Sequence, residues 1–141
     1  ALDGECSVIP IDGSCHCGRI TYEASVDPAS VTICHCTDCQ ALTGTAFRVS
    51  VSVKRELLRI RGEPTVYIKR GASGRRRFQH FCSNCGSPLF SSGEDEDGED
   101  WGVRWGAVRQ RDRLIPTRQI WRRSAPDWVC AFEHAPARMA E

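Results

Sequence analysis

The sequence predicts an all-β fold tied together by metal, and three observations carry that prediction. Short runs of alternating polar and apolar residues recur along the 141 residues, each bounded by turn formers. Only one short stretch reads as helix. Seven of the nine cysteines fall into three tight groups: Cys15 with Cys17, Cys34 with Cys36 and Cys39, and Cys82 with Cys85.

Taken in order, Arg19 to Ala24 alternates polar and apolar, and Thr45 to Val53 places Phe47, Val49, Val51 and Val53 on a shared face. Leu57 to Arg61 and Thr65 to Lys69 repeat the pattern across a turn at Gly62, Glu63 and Pro64, and a second turn follows at Arg70 to Gly74. Pro88 to Ser92, Trp101 to Val108 and Arg118 to Trp121 follow, and with a strand beyond the second turn the expectation is eight or nine strands. One helical turn can span Thr37 to Leu42, with Thr37 as its cap and Gly44 as its stop, the alternative being an irregular metal knuckle without helix. A helix amino terminus beside Cys36 and Cys39 would favour their thiolates.

Length suits one domain with a modest core. We expect an extension over 1–12, a single zinc domain over 13–130 and a tail over 131–141. A formal charge of +1 gives no electrostatic case for nucleic acid or an anionic membrane. No apolar run approaches the roughly 20 residues that span a bilayer, and no basic-then-apolar leader opens the chain. The expectation is a soluble, cytoplasmic protein, monomeric or homodimeric, with exposed strand edges and Trp101, Trp105, Trp121 and Trp128 leaving room for a dimer.

The cysteine spacing points to metal rather than disulfides. Residues two or three apart are poor disulfide partners, yet they suit two bonds to one ion, and an odd total rules out complete pairing. All-thiolate sets prefer zinc or iron–sulfur clusters over magnesium or calcium, and the spacing is not that of ferredoxins. Zinc is the expected ion. Cys6 and Cys130 stand alone and read as ordinary thiols.

The three groups differ in what they can do. In Gly13 to Gly18, a strand would send Cys15 and Cys17 to opposite faces, so the flanking glycines must allow a turn that brings both sulfurs to one side. Phe81 to Gly86 has the form of a zinc knuckle, with Gly86 accepting a positive φ. Four thiolates from these outer groups can close one tetrahedral site and staple the start of the fold to its middle. The middle group supplies three and leaves one position for water, a substrate thiol or a fourth protein group. His35 adjoins two of the cysteines and reaches the same ion poorly; Cys130, His80 or His134 could instead close the site.

Two charged stretches stand out. Glu94 to Asp100 carries six acids and reads as a mobile, solvated hairpin loop, without the alternating ligands of a calcium loop. Arg75 and Arg77 would share a strand face and either meet an anionic ligand or remain solvated, the second being the default. Arg109, Arg111 and Arg113 form a later basic group.

Gly-x-Cys-x-Cys-Gly at Gly13 to Gly18, Cys-His-Cys-x-x-Cys at Cys34 to Cys39, Gly44 with Phe47, and Phe-Cys-x-x-Cys-Gly at Phe81 to Gly86 resemble the glutathione-dependent formaldehyde-activating enzyme family. Pro116 to Trp121 and Trp128 are similar to that family's carboxy-terminal end. The resemblance implies an Mss4-like fold of several small twisted antiparallel sheets built around zinc sites, with two zinc ions per chain, the second labile. By it, Cys15, Cys17, Cys82 and Cys85 hold a structural zinc, and Cys34, Cys36 and Cys39 hold a catalytic one. It also implies a carbon-sulfur lyase reaction run in reverse, joining formaldehyde to glutathione as S-hydroxymethylglutathione, or acting on a related thiol adduct. Thiol binding would be the metal's part, since three anionic thiolates make it a poor Lewis acid. Backbone N–H groups near Cys39, or Gln40, would help the developing alkoxide. Gln40 stands where members closest to the named activity carry a basic residue. The same domain occurs in a chromosome-associated protein, so a non-catalytic binding module is the alternative, and a sensor that releases metal on oxidation is a third reading.

Overall fold

The computed structural model describes residues 8–94 and 99–140. Cys6 and the acidic residues at 95–97 lie outside the described residues. Ten strands and one α-helix are found among the described residues, one strand beyond the upper expectation. The strands are β1 (Ile9–Ser14), β2 (Thr21–Val26), β3 (Val31–Cys34), β4 (Arg48–Lys54) and β5 (Leu58–Arg61), followed by β6 (Thr65–Arg70), β7 (Arg76–Phe81), β8 (Pro88–Gly93), β9 (Asp100–Arg104) and β10 (Arg118–Ile120). The helix, α1, is Thr37–Thr43.

The domain is mainly β, as its alternation predicts. Among the described residues two sheets form, one of three strands in the order β1-β2-β5 and one of seven in the order β10-β3-β4-β9-β8-β7-β6. Pairing is antiparallel except where β10 runs parallel to β3. β1 and β3 were not expected from sequence. β1 carries Pro10, Asp12 and Gly13, which weaken its strand pattern, and β3 is only four residues long. Trp101 to Val108 is not one strand: β9 ends at Arg104, and a 3₁₀ turn over Trp105–Ala107 follows.

One core joins both sheets. Ile11, Tyr22, Ala24, Val26 and Leu58 of the small sheet pack with Val31, Val51, Val53, Leu89, Phe90 and Val103 of the large one. Tyr22 meets Phe90 edge-on, with ring centroids 5.0 Å apart. Burying a side chain the size of Phe90 stabilises the fold by about 1.5–3 kcal/mol. The predicted inward face of β4 is the observed one, since Val51 and Val53 are buried. Its other face therefore presents Arg48, Ser50 and Ser52 on the outer side of the large sheet.

Candidate metal centres

The two outer cysteine groups converge. β1 runs into a tight turn in which the Gly18 N–H donates to Cys15 O at 3.1 Å, and Gly18 takes a φ of 88°. That turn brings Cys15 and Cys17 to one side. β7 ends in the second knuckle, closed by Gly86 N–H donating to Cys82 O at 2.7 Å, and Gly86 has a φ of 80°, the positive value its position demands. The His16 N–H donates to the Ser87 hydroxyl at 3.0 Å and ties one knuckle to the other.

The sulfurs of Cys15, Cys17, Cys82 and Cys85 lie within 4.8 Å of one another. Cys17 Sγ is 3.6 Å from that of Cys15 and 3.7 Å from that of Cys82. A tetrahedral zinc with bonds of about 2.3 Å places its sulfurs about 3.8 Å apart, so this donor set fits such an ion. Ser87 serves the site as well: its hydroxyl lies 3.2 Å from Cys85 Sγ. That hydrogen bond, with others from the backbone, holds Cys85 down to about 5, in the thiolate form a metal requires.

The middle group gathers too, with Cys34, Cys36 and Cys39 sulfurs within 4.8 Å of one another. Cys34 ends β3, and the chain turns directly into α1. Cys36, not Thr37, is the helix cap: its Sγ accepts from the Cys39 N–H at 3.3 Å. Gly44 ends the helix at a φ of 72°, as predicted. Hydrogen bonds from Cys34 and then Cys36, with the charges of Arg48 and Arg104, hold the Cys39 thiol down to about 5, whereas its bond to Cys39 and burial push Cys34 up.

No fourth His, Cys, Asp or Glu joins this trio among the described residues. His35 is buried among other partners: its Nε2–H donates to Gln119 Oε1 at 2.7 Å, and its ring meets Phe47 edge-on. His80 bonds the Ser92 hydroxyl at 3.0 Å, and Cys130 accepts from Arg122 at 3.6 Å. Gln40 is not poised over the cysteines as an alkoxide donor. Its amide nitrogen donates to His35 O at 2.9 Å and Ser124 O at 3.1 Å, clamping the cysteine loop to the carboxy-terminal segment.

The trio opens into a cavity of about 430 Å³ on the outer side of the large sheet. Its lining is cationic, from Arg48, Lys69, Arg77, Arg104 and Arg118 with the single carboxylate of Asp100, and partly apolar, from Leu42, Ile120 and Trp121. Arg77 thus leaves the solvated face it was assigned. Arg76 is the outward residue and pairs with Glu94 at 3.1 Å, which anchors the start of the acidic run. Arg48 and Arg104 were missed altogether, because an arginine on the polar face of a strand reads as solvated. A second, larger cleft of about 1030 Å³ shares those two arginines as part of its wall.

Residues 10–124 match the family described as glutathione-dependent formaldehyde-activating enzyme. The chain belongs to that family. Among solved structures, this family member is similar to a Rhodobacter sphaeroides protein at 20% identity, with a TM-score of 0.58, over 77% of this chain and 98% of that one. The likeness extends to the fold. No curated protein matched this family member. Both of its cysteine clusters can bind a metal such as zinc. Among the described residues, no helix is long and apolar enough to cross a membrane.

Proposed function

We propose that this protein is a zinc-dependent carbon-sulfur lyase acting as a synthase, which joins glutathione or a related thiol to formaldehyde or a similar aldehyde. The observation that carries the reading is the three-sulfur cluster without a fourth protein ligand, opening into a cavity large enough for a small molecule. Cys15, Cys17, Cys82 and Cys85 hold the structural zinc. Cys34, Cys36 and Cys39 hold the catalytic one.

Bound there, zinc supplies charge that favours the thiolate form of an incoming thiol near neutral pH. The chain's own groups do the rest. α1 and the Gln40 clamp fix the three cysteines, so that the incoming sulfur has one direction of approach. The thiol gives its proton to solvent, its sulfur bonds to the aldehyde carbon, and the carbonyl electron pair moves onto oxygen. That oxygen then takes a proton from solvent, giving the hydroxymethyl thioether, with nothing oxidised or reduced. Charge developing on the oxygen lies against the cationic lining, to which Arg77 and Arg118 contribute.

The test counts zinc per chain before and after glutathione is added, then measures the rate of adduct formation above the unaided reaction. The reading expects about two ions, an acceleration, and loss of that acceleration in a Cys36→Ser protein that still folds. A single ion indifferent to thiol, or full activity in Cys36→Ser, would overturn it.

A further inference from the structure

Two cations beside the three-cysteine cluster, Arg48 buried and Arg104 partly buried, form no ion pair with a carboxylate among the described residues. Arg48 is 5% exposed, its Nε is sealed without a partner, and its side chain forms no hydrogen bond or ion pair among the described residues. Arg104 donates to the Ser50 hydroxyl at 2.7 Å and to Gln79 Oε1 at 2.6 Å, both neutral groups, and its Nε is likewise unpartnered. Burying a charge is costly unless it is paired, so an uncompensated pair of guanidinium groups in a fold this small calls for a counter-charge.

The ladder shows where that counter-charge can sit. In the β3–β4 pairing Arg48 stands opposite Cys34, and in the β4–β9 pairing Arg104 stands opposite Ser50, two residues along on the same face. Both side chains line the cavity that the three sulfurs open into. Arg77, Arg118 and Lys69 line the same cavity and Asp100 is the one carboxylate in its lining, so the lining carries an excess of positive charge that favours an anionic group.

We propose that Arg48 and Arg104 form a carboxylate subsite, so that the thiol taken by the three-cysteine centre carries a carboxylate. The inference rests on the thiol-binding reading of that centre and names its substrate class. Arg104 is held by its bonds to Ser50 and Gln79. Arg48 supplies the planar donor fork, whose geometry matches a carboxylate and which lysine would not reproduce. Both are positioning residues. They select the thiol by its acid group and set the direction from which its sulfur reaches the cluster.

The test uses cobalt-substituted protein, whose thiolate-to-metal absorption reports a sulfur entering the coordination sphere. It compares two thiols of similar size, mercaptopropionate and mercaptoethanol, which differ in the acid group. The native protein is expected to bind the acid about tenfold or more tightly, the worth of a charge-assisted hydrogen bond. Arg48→Gln and, independently, Arg104→Gln should weaken mercaptopropionate binding more than mercaptoethanol binding, so that the preference shrinks. Arg48→Lys should restore only part of it. Equal affinity for the two thiols in the native protein needs no variant to interpret and would overturn the subsite while leaving the thiol chemistry standing. If neither thiol changes the cobalt spectrum, the proposed function fails, and propionate binding decides the subsite: binding lost in Arg48→Gln sustains it, and no binding by native protein overturns it.

Discussion

Arg48 stands directly opposite Cys34 in the β3–β4 ladder, so a guanidinium and a thiolate cluster share one patch on the outer face of the large sheet. Cys39 is acidified chiefly by its hydrogen bonds from Cys34 and Cys36, and after these by the charges of Arg48 and Arg104. With the three-cysteine centre empty and the four-cysteine centre loaded, Arg48→Gln should therefore raise the Cys39 pKa from about 5. A pH titration of thiolate ultraviolet absorbance reads the shift. An unchanged curve would mean that the arginine charge does not reach the sulfurs.

The same acidification makes protein with an empty three-cysteine centre sensitive to pH. The folded pKa of Cys39 lies below its ordinary value of 9.0, so its contribution is present above pH 9.0 and is lost as pH falls through about 5. With the four-cysteine centre loaded and the three-cysteine centre empty, denaturant midpoints should decline across that window. A Cys39→Ser protein should show a smaller decline, and identical curves for the two would refute the assignment.

The two metal centres should separate by what they hold up. Cys82→Ser removes a ligand from the cluster that joins β1 to the end of β7, and zinc affinities in small structural sites, about 10–16 kcal/mol, rival the whole stability of a domain. Cooperative thermal melting should be lost. Cys36→Ser should keep a cooperative melt and lose one metal ion per chain, read by circular dichroism and metal analysis on the same samples.

His80 tests the interior under the large sheet. Burial first, and then the charges of Arg104 and Arg55, lower its pKa from 6.5, where the Ser92 hydroxyl and the Phe90 and Trp101 rings surround it. Because the unfolded chain takes up the proton more readily, stability is fully present above 6.5 and falls as pH drops through the folded value. His80→Gln should flatten this acid slope in urea unfolding between neutral pH and about 5. An unaltered slope would remove His80 as its source.

Gly13 carries a steric prediction. A Cβ there would sit 2.2 Å from Ala107 O and 2.3 Å from the Tyr22 hydroxyl, and the first of these is backbone that cannot swing aside. Gly13→Ala should destabilise by about 1–3 kcal/mol in urea unfolding. Both cysteine clusters should still bind metal in protein that remains folded.

Much of this was legible because the governing interactions are local. A C-x-C or C-x-x-C run presents its ligands within one turn, so the partition into four sulfurs and three could be read from spacing. Gly86 and Gly44 take the positive φ expected of a knuckle and a helix stop. The inward face of β4 followed from alternation alone. Less was legible where a residue's meaning depends on its cross-strand neighbour. Gln40 looked like a catalytic donor and proved to be a clamp on Ser124, 84 residues away. Cys36 rather than Thr37 caps α1, because the sulfur already faces the helix amino terminus.

By itself the sequence determined a mainly β chain, two sulfur clusters and the family, since alternation and cysteine spacing are properties of neighbouring residues. Only the tertiary structure decided that β3 pairs with β4 in the register that puts Arg48 over Cys34, and that Arg104 from β9 lies beside them. Register is set by which faces the two sheets bury against one another, a balance summed over the whole core. No local stretch of sequence contains it.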